Sequence, residues 1–177
     1  MFSIIIPLYN KVLCVEKAVR SVWSQTYRDL ELIIVSDGST DSSLSVVELL
    51  CSELCKTNIK TKFCTISPKN SGVSTTRNNV VKTAKYPYVC FIDADGWWGE
   101  STFWEEMSQL IGEFLQAGIY GIGYYIVKNG RKCVVPVGVE SNFEKGTIDY
   151  CKVYARMLCM FLWTGDSVYF KNYFSSR

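Results

Sequence analysis

Histidine is missing from the 177 residues altogether, proline occurs four times, and no apolar run reaches the length of a membrane span. Without histidine, a mixed cysteine–histidine zinc site has no second ligand type. With few prolines and no serine-rich or repetitive tract, nothing reads as a linker, so one globular unit over 1–177 is expected. Charge of one sign is lacking too. The net charge is +2 with acids and bases interspersed, which leaves no basic stripe and argues against a nucleic-acid partner. The opening Met1-Phe2-Ser3-Ile4-Ile5-Ile6-Pro7 has neither the charged start nor the cleavage site of a secretory signal, and reads directly as a strand. No Gly-x-x-x-x-Gly-Lys-Ser/Thr occurs and no Gly-x-Gly-x-x-Gly follows the first strand, which disfavours a P-loop NTPase and a dinucleotide dehydrogenase.

Cysteine, by contrast, is plentiful, with eight residues at 14, 51, 55, 64, 90, 133, 151 and 159. No two form Cys-x-x-Cys, and most lie in apolar stretches such as Val89-Cys90-Phe91 and Leu158-Cys159-Met160. They read as reduced, buried small hydrophobes of a cytosolic protein rather than as disulfides or metal ligands. Only Cys51 and Cys55, one helical turn apart, could share a face.

Four apolar runs of strand length alternate with segments of helical period, the pattern of a parallel sheet covered by helices. Strands are expected at 2–7, 30–35, 62–66 and 88–93. Val15, Ala18, Val19, Val22 and Trp23 form the apolar stripe of a first helix. Asp37-Gly38-Ser39-Thr40-Asp41 reads as a turn, with Thr40 or Asp41 capping a second helix that carries Leu44, Val47, Leu50 and Leu54. A third helix is expected over 73–83 and a fourth over 101–115. Two β-rich runs follow, 119–127 and 132–137, with Asn129-Gly130 between them as a hairpin signal. Residues 150–163 are apolar enough for helix or strand, and periodicity does not decide between them.

An apolar strand ending in Asp93-Ala94-Asp95 would present two carboxylates on one face, because side chains alternate along a strand. Like charges held together repel unless a cation or donor lies between them, and oxygen ligands of this kind suit Mg²⁺ or Mn²⁺. If the four strands are parallel, their carboxyl ends open on one ligand crevice. Tyr9 and Asn10 follow the first strand, Asp37 the second, the polar stretch 70–78 the third, and Asp93 and Asp95 the fourth. A carboxylate at Asp37 can accept bonds from a base N–H or ribose hydroxyls, or close an Asx-turn on its own backbone. Arg77 can hold an anionic group or form a surface ion pair. A cation held against a nucleotide diphosphate would stabilise the leaving group, which points to transfer from a nucleotide-activated donor.

In order and spacing, these segments resemble the family-2 inverting glycosyltransferases of the GT-A fold. The resemblance rests on Ile4-Ile5-Ile6-Pro7-Leu8-Tyr9-Asn10, on Ser21-Val22-Trp23-Ser24-Gln25-Thr26-Tyr27, on the run from Leu32 through Asp37-Gly38-Ser39 to Asp41, on Asn70-Ser71-Gly72-Val73-Ser74 with Thr76-Arg77-Asn78, and on Tyr88 to Asp95. It implies an α/β fold with a Rossmann-like, mostly parallel sheet flanked by helices, with an added β-hairpin in the second half. Residues 1–98 would form the nucleotide-sugar-binding half and 99–177 part of the acceptor-side half. By the same resemblance Pro7 and Tyr9 shape the base pocket with Asn10 beside them, Asp37 reads the base, and Arg77 lies near the donor. Asp93, with Ala94 alongside, faces the ribose and donor sugar, and Asp95 ligates Mn²⁺ or Mg²⁺. The implied donor is a UDP-sugar and the implied acceptor a saccharide or lipid-linked saccharide. The setting would be cell-surface polysaccharide synthesis from the cytosolic side, with peripheral membrane association of the full-length protein.

Departures from the family pattern are specific. Ser36 stands where a second acid is common, and Gly96 where a third aspartate often follows. No late Glu-Asp pair supplies the base that deprotonates the acceptor. Glu105-Glu106 reads as a solvated helix face, and Asp166 is the only late candidate. Because family domains run further, a truncated chain is expected, in which 157–163 would be an uncovered apolar patch. The alternative reading is a module that holds a nucleotide sugar without transferring it. A sugar nucleotidyltransferase would need a glycine-rich loop where Leu8-Tyr9-Asn10-Lys11 stands. Trp97, Trp98 and Trp104 could stack on an acceptor sugar or belong to the core.

Overall fold

The computed structural model describes residues 1–54, 60–67, 80–115, 119–121, 125–128, 131–134 and 167–170. Strand β1 (Phe2–Leu8) leads through helix α1 (Val15–Trp23) to β2 (Leu30–Asp37), then through α2 (Ser43–Leu54) to β3 (Lys60–Ser67) and on to β4 (Tyr88–Phe91). After α3 (Phe103–Glu113) come β5 (Ile119–Gly121), the pair β6 (Tyr125–Lys128) and β7 (Arg131–Val134), and β8 (Ser167–Phe170). The main sheet has the order β3-β2-β1-β4-β8-β5. β1, β2, β3 and β4 are mutually parallel, whereas β8 runs antiparallel to both β4 and β5.

β1 and β2 are continuous apolar runs because a parallel strand covered on both faces has no solvent side. All eight residues of β2 are buried, and in β1 only Pro7 is not. Alternation then sorts their side chains to two layers. Ile4, Ile6, Leu32 and Ile34 pack with Val15, Val19 and Val22 of α1, Val47 and Leu50 of α2, and Trp104, Met107 and Ile111 of α3. Ile5, Ile33, Val35 and Phe91 meet Val80, Val81 and Ala84 on the opposite face. Val80 and Val81 are helical and fall inside the expected third helix, whose other residues up to 79 lie outside the described residues.

At the amino ends of the strands a buried polar knot fixes β4 beside β1. Glu31 Oε1 accepts the Ser3 hydroxyl at 2.5 Å and the Lys85 N–H at 2.5 Å, while Ser3 Oγ accepts the Tyr86 N–H at 3.1 Å. Each buried polar group in this knot has a partner, as burial requires.

Two expectations change. β4 stops at Phe91, not at residue 93, because its register with β1 ends at Ile5–Phe91, and only the Ile92 N–H to Ile5 carbonyl bond continues the pairing. Asp93 and Asp95 therefore lie on a turn after the strand, closed by the Gly96 N–H on the Asp93 carbonyl at 2.8 Å. The apolar run 119–127 is two strands, β5 and β6. The hairpin itself stands: β6 and β7 pair antiparallel with Lys128 opposite Arg131, which leaves two residues for the connection. Segment 150–163 lies outside the described residues.

Trp104 is fully buried, 4.6 Å from the Phe2 ring and 5.1 Å from Trp98, centroid to centroid. Its indole N–H has no hydrogen-bond partner among the described residues. Trp104→Ala is expected to cost about 3–5 kcal/mol in urea unfolding through loss of the ring and the cavity left behind. Trp104→Phe is expected to cost much less, since it keeps an aromatic ring and deletes an unpaired donor. Equal losses in the two variants would contradict this account.

Candidate functional site

The strand order reverses at β1: β2 and β3 lie to one side of it and β4 to the other. The carboxyl ends of the strands at such a reversal are where open α/β sheets bind ligands. Three loops meet at this edge: the one after β1 with Tyr9, Asn10 and Lys11, the one after β2 with residues 38–42, and the turn after β4 with Asp93 and Asp95.

Asn10 joins the first two loops. It adopts a left-handed backbone, φ 49°, a conformation that asparagine tolerates better than most residues. Its side-chain carbonyl accepts the Thr40 N–H at 2.8 Å, and its amide donates to Thr40 Oγ1 at 3.2 Å. Gly38, at φ 73°, makes the reversal that brings Thr40 back towards Asn10. Asp41 completes the joint: one oxygen accepts the Ser43 N–H at 3.0 Å and the Ser43 hydroxyl, and the other accepts the Val12 N–H at 3.1 Å. These bonds to the charged form, led by that from the Ser43 hydroxyl, hold the Asp41 carboxyl below the usual range.

α1 and the residues flanking it hold the segment after β4 at three points. Lys11 Nζ donates to Asp95 Oδ2 at 2.5 Å, and this bond holds the Lys11 ammonium above the ordinary lysine range. Lys17 Nζ sits 3.2 Å from the centroid of the Trp97 ring. Beyond the end of α1, the buried Gln25 donates to the Glu100 carbonyl at 2.8 Å, and the Thr26 N–H donates to the Ser101 carbonyl at 2.9 Å. The Gln25-Thr26 pair is thus the far clasp of the loop that carries the aspartates.

Of the sequence candidates, Asp37 is the last residue of β2 and only 3% exposed, while Tyr9 is 40% exposed. Pro7 is half-buried within β1, opposite Val35 of β2. Asp93 is half-buried and Asp95 exposed, and the Ala94 methyl between them is buried in the larger core. Tyr9, Asn10, Asp37, Asp93 and Asp95 all follow or end strands at one edge of the sheet. Arg77 and Asp166 lie outside the described residues. Trp97 keeps one-third or more of its surface exposed, Trp98 stacks on Phe103 with centroids 5.7 Å apart, and Trp104 is core rather than an exposed platform.

Sequence reasoning passed over Lys11, Lys17 and the task of Gln25. Nothing local marks Lys11, since its partner is 84 residues away. Gly96 is not imposed by space: a Cβ there would lie 3.4 Å from both the Asp93 carbonyl oxygen and Ile92 Cγ1, ordinary contact.

The sheet order and this carboxyl-edge site define an α/β fold of the GT-A type. S. aureus TarS in complex with UDP has the same fold, with a TM-score of 0.68 at 22% identity over 96% of this chain and 46% of its own. The mannosyltransferase PcManGT from Pyrobaculum calidifontis, in complex with GDP-Man and Mn²⁺, follows at 0.58 and 22% over 67% of this chain and 34% of its own. The family model for Glycosyl transferase family 2 matches residues 3–174, and the chain belongs to that family. Bacillus subtilis EpsJ, named an uncharacterized glycosyltransferase, is 31% identical over 142 residues, which are 80% of this chain and 39% of EpsJ. The glycosyltransferase GlyA of Streptococcus pneumoniae is 33% identical over 125 residues, 70% of this chain and 16% of GlyA. The chain thus spans well under half the length of these relatives.

Gln25→Ala removes a buried donor from two carbonyls and is expected to lower stability by about 1–3 kcal/mol in urea unfolding. It should also speed amide hydrogen exchange over residues 96–101 more than in β1 or β2, and a uniform change would argue against a clasp. The pH dependence has a definite sign. A carboxyl lowered by folding stabilises fully above its unfolded value, near 3.8 for Asp41, and that contribution is lost as pH falls through the lower folded value. Asp41→Asn should therefore be less stable at neutral pH and show a flatter loss of stability below about pH 4 than the parent chain.

Proposed function

We propose that this chain is the donor-binding part of a glycosyltransferase that moves a sugar from a nucleotide sugar, of the UDP class, to an acceptor hydroxyl with inversion. The observation that carries the reading is the meeting of Tyr9, Asp37 and the Asp93–Asp95 turn at the point where the strand order reverses. A carboxylate in the position of Asp37 suits a base N–H, and the half-exposed Tyr9 ring suits the face of a base.

Among the described residues no three Cys, Asp or Glu side chains gather as a metal cluster. On this reading a Mg²⁺ or Mn²⁺ ion would be held by Asp95, with donor phosphate oxygens and water completing the shell, a usual arrangement for Mg²⁺. The chemistry of the donor set fits, because the Asp95 carboxylate is 49% exposed and already faces a cation in Lys11 Nζ. When bound, such an ion supplies charge stabilisation to the departing nucleoside diphosphate.

In the proposed reaction the acceptor oxygen bonds to the anomeric carbon as the bond to the diphosphate oxygen breaks on the opposite face, which inverts the centre. The hydroxyl proton passes to a carboxylate base, a role for which Asp166 is the candidate within this chain. A cell-surface polymer as product is supported by the name of a further relative, the minor teichoic acid biosynthesis protein GgaB of B. subtilis, 35% identical over 104 residues, 58% of this chain and 11% of GgaB. UDP is supported by the solved complex of TarS with UDP-GlcNAc, of TM-score 0.69 at 22% identity, 96% of this chain and 45% of that one. A saccharide or lipid-linked acceptor at the inner face of the cytoplasmic membrane belongs to the same proposal.

Calorimetric titration with UDP, GDP and CDP, each with Mn²⁺ and again with chelator, tests it. UDP is expected to bind in the presence of Mn²⁺, and Asp95→Ala to weaken that binding at least about tenfold. A folded chain that binds none of the three nucleotides would overturn the reading.

A further inference from the structure

The donor-site reading gives Lys11 no task, yet its placement is specific. Its backbone N–H is fixed by Ser43 Oγ at 2.9 Å, at the first residue of α2, so the root of the side chain is anchored. Its ammonium reaches across the reversal point from the β1 loop to Asp95 Oδ2 at 2.5 Å, and Asp93 adds to the negative field it sits in. The ammonium thus stands against the carboxylate that the donor-site reading assigns to the metal ion.

We propose that Lys11 is the built-in counter-ion of Asp95, that it holds the carboxylate until a divalent cation arrives, and that cation binding proceeds by displacing its ammonium. This inference rests on the reading of Asp95 as the cation ligand. Three physical points support it. Lysine is a compact charge on a flexible stem, able to leave without rearranging the backbone that Ser43 holds. Both partners are on the surface, 42% and 49% exposed, so the pair is weak enough to exchange. The trade also improves the charge balance at Asp95, since a divalent ion brings the carboxylate twice the charge of an ammonium. The consequence is a site that binds a free cation poorly. A cation that comes with a diphosphate does better, because the released ammonium gains phosphate oxygens as new partners.

The test is titration of the whole chain with Mn²⁺ alone, read by the electron paramagnetic resonance signal of the free ion, for the parent, Lys11→Met, Lys17→Met and Asp95→Asn. Lys11→Met keeps the length of the side chain and removes its charge, and should bind Mn²⁺ up to about fivefold more tightly. Lys17→Met removes the same charge from α1 without touching Asp95, and should stay near the parent value. No tightening in Lys11→Met, or equal tightening in Lys17→Met, overturns the proposal while Asp95→Asn still abolishes binding. Mn²⁺ binding that survives Asp95→Asn overturns the cation-ligand reading of Asp95 and the counter-ion proposal with it.

Discussion

Everything at the candidate site depends on β1 being paired in parallel on both edges, with β2 on one side and β4 on the other. A strand with no solvent face and no free edge is the most constrained element a sheet can hold, and its seven residues are buried accordingly, Pro7 alone partly open. The loops at the carboxyl ends of β1, β2 and β4 keep exposed residues, Tyr9, Asn10, Thr40 and Asp95 among them. The amino ends do the opposite and close on the Ser3–Glu31–Lys85 knot. One end of the sheet is thus sealed by buried hydrogen bonds and the other is left open, and polar residues without a packing task collect at the open end.

The three holds that α1 and its flanking residues place on the post-β4 segment differ in strength. The Gln25 amide is buried and bonded to two backbone carbonyls, so breaking it strands groups away from water at a cost of about 1–3 kcal/mol. The Lys11–Asp95 pair is exposed, and such pairs contribute about 0–1 kcal/mol. The clasp at Glu100 is accordingly the permanent one and the contact at Asp95 the exchangeable one. This order suits a ligand-binding loop, which needs a fixed root and a tip whose partners can change.

How much of this was legible in the sequence varied with the kind of signal. The parallel core was legible because doubly covered strands must be apolar at every position, so β1 and β2 announce themselves. The end of β4 was not, because the apolar run continues through Ile92 while the pairing stops; where a neighbour strand ceases to pair leaves no local trace. Trp104 could have been assigned to the core from its helix, since Trp104, Met107 and Ile111 share one face at three- and four-residue spacing. Nearness to the aspartates kept the acceptor-stacking alternative open beside the core. At the site, residue types at strand ends were enough to collect Tyr9, Asp37, Asp93 and Asp95. Lys11 was illegible, because a lysine beside a turn is ordinary until the fold brings a carboxylate 84 residues away to its tip.

The donor-site reading has a further thermodynamic consequence that follows from Gly96. The turn that carries Asp95 has room for a β-carbon at position 96, yet no third carboxylate stands there. If Asp95 is the ligand and no further carboxylate of the described residues joins it, a divalent ion would draw much of its shell from phosphate and water. Cation and diphosphate then contribute ligands and charge to each other, and each raises the affinity of the other by the same factor, as linkage demands. A chain with more carboxylates on this turn would hold the cation on its own and lose that coupling. On the donor-site reading, an exchangeable carboxylate, a rooted loop and a diphosphate that completes the shell would make occupancy of the cation site a report on the presence of the donor.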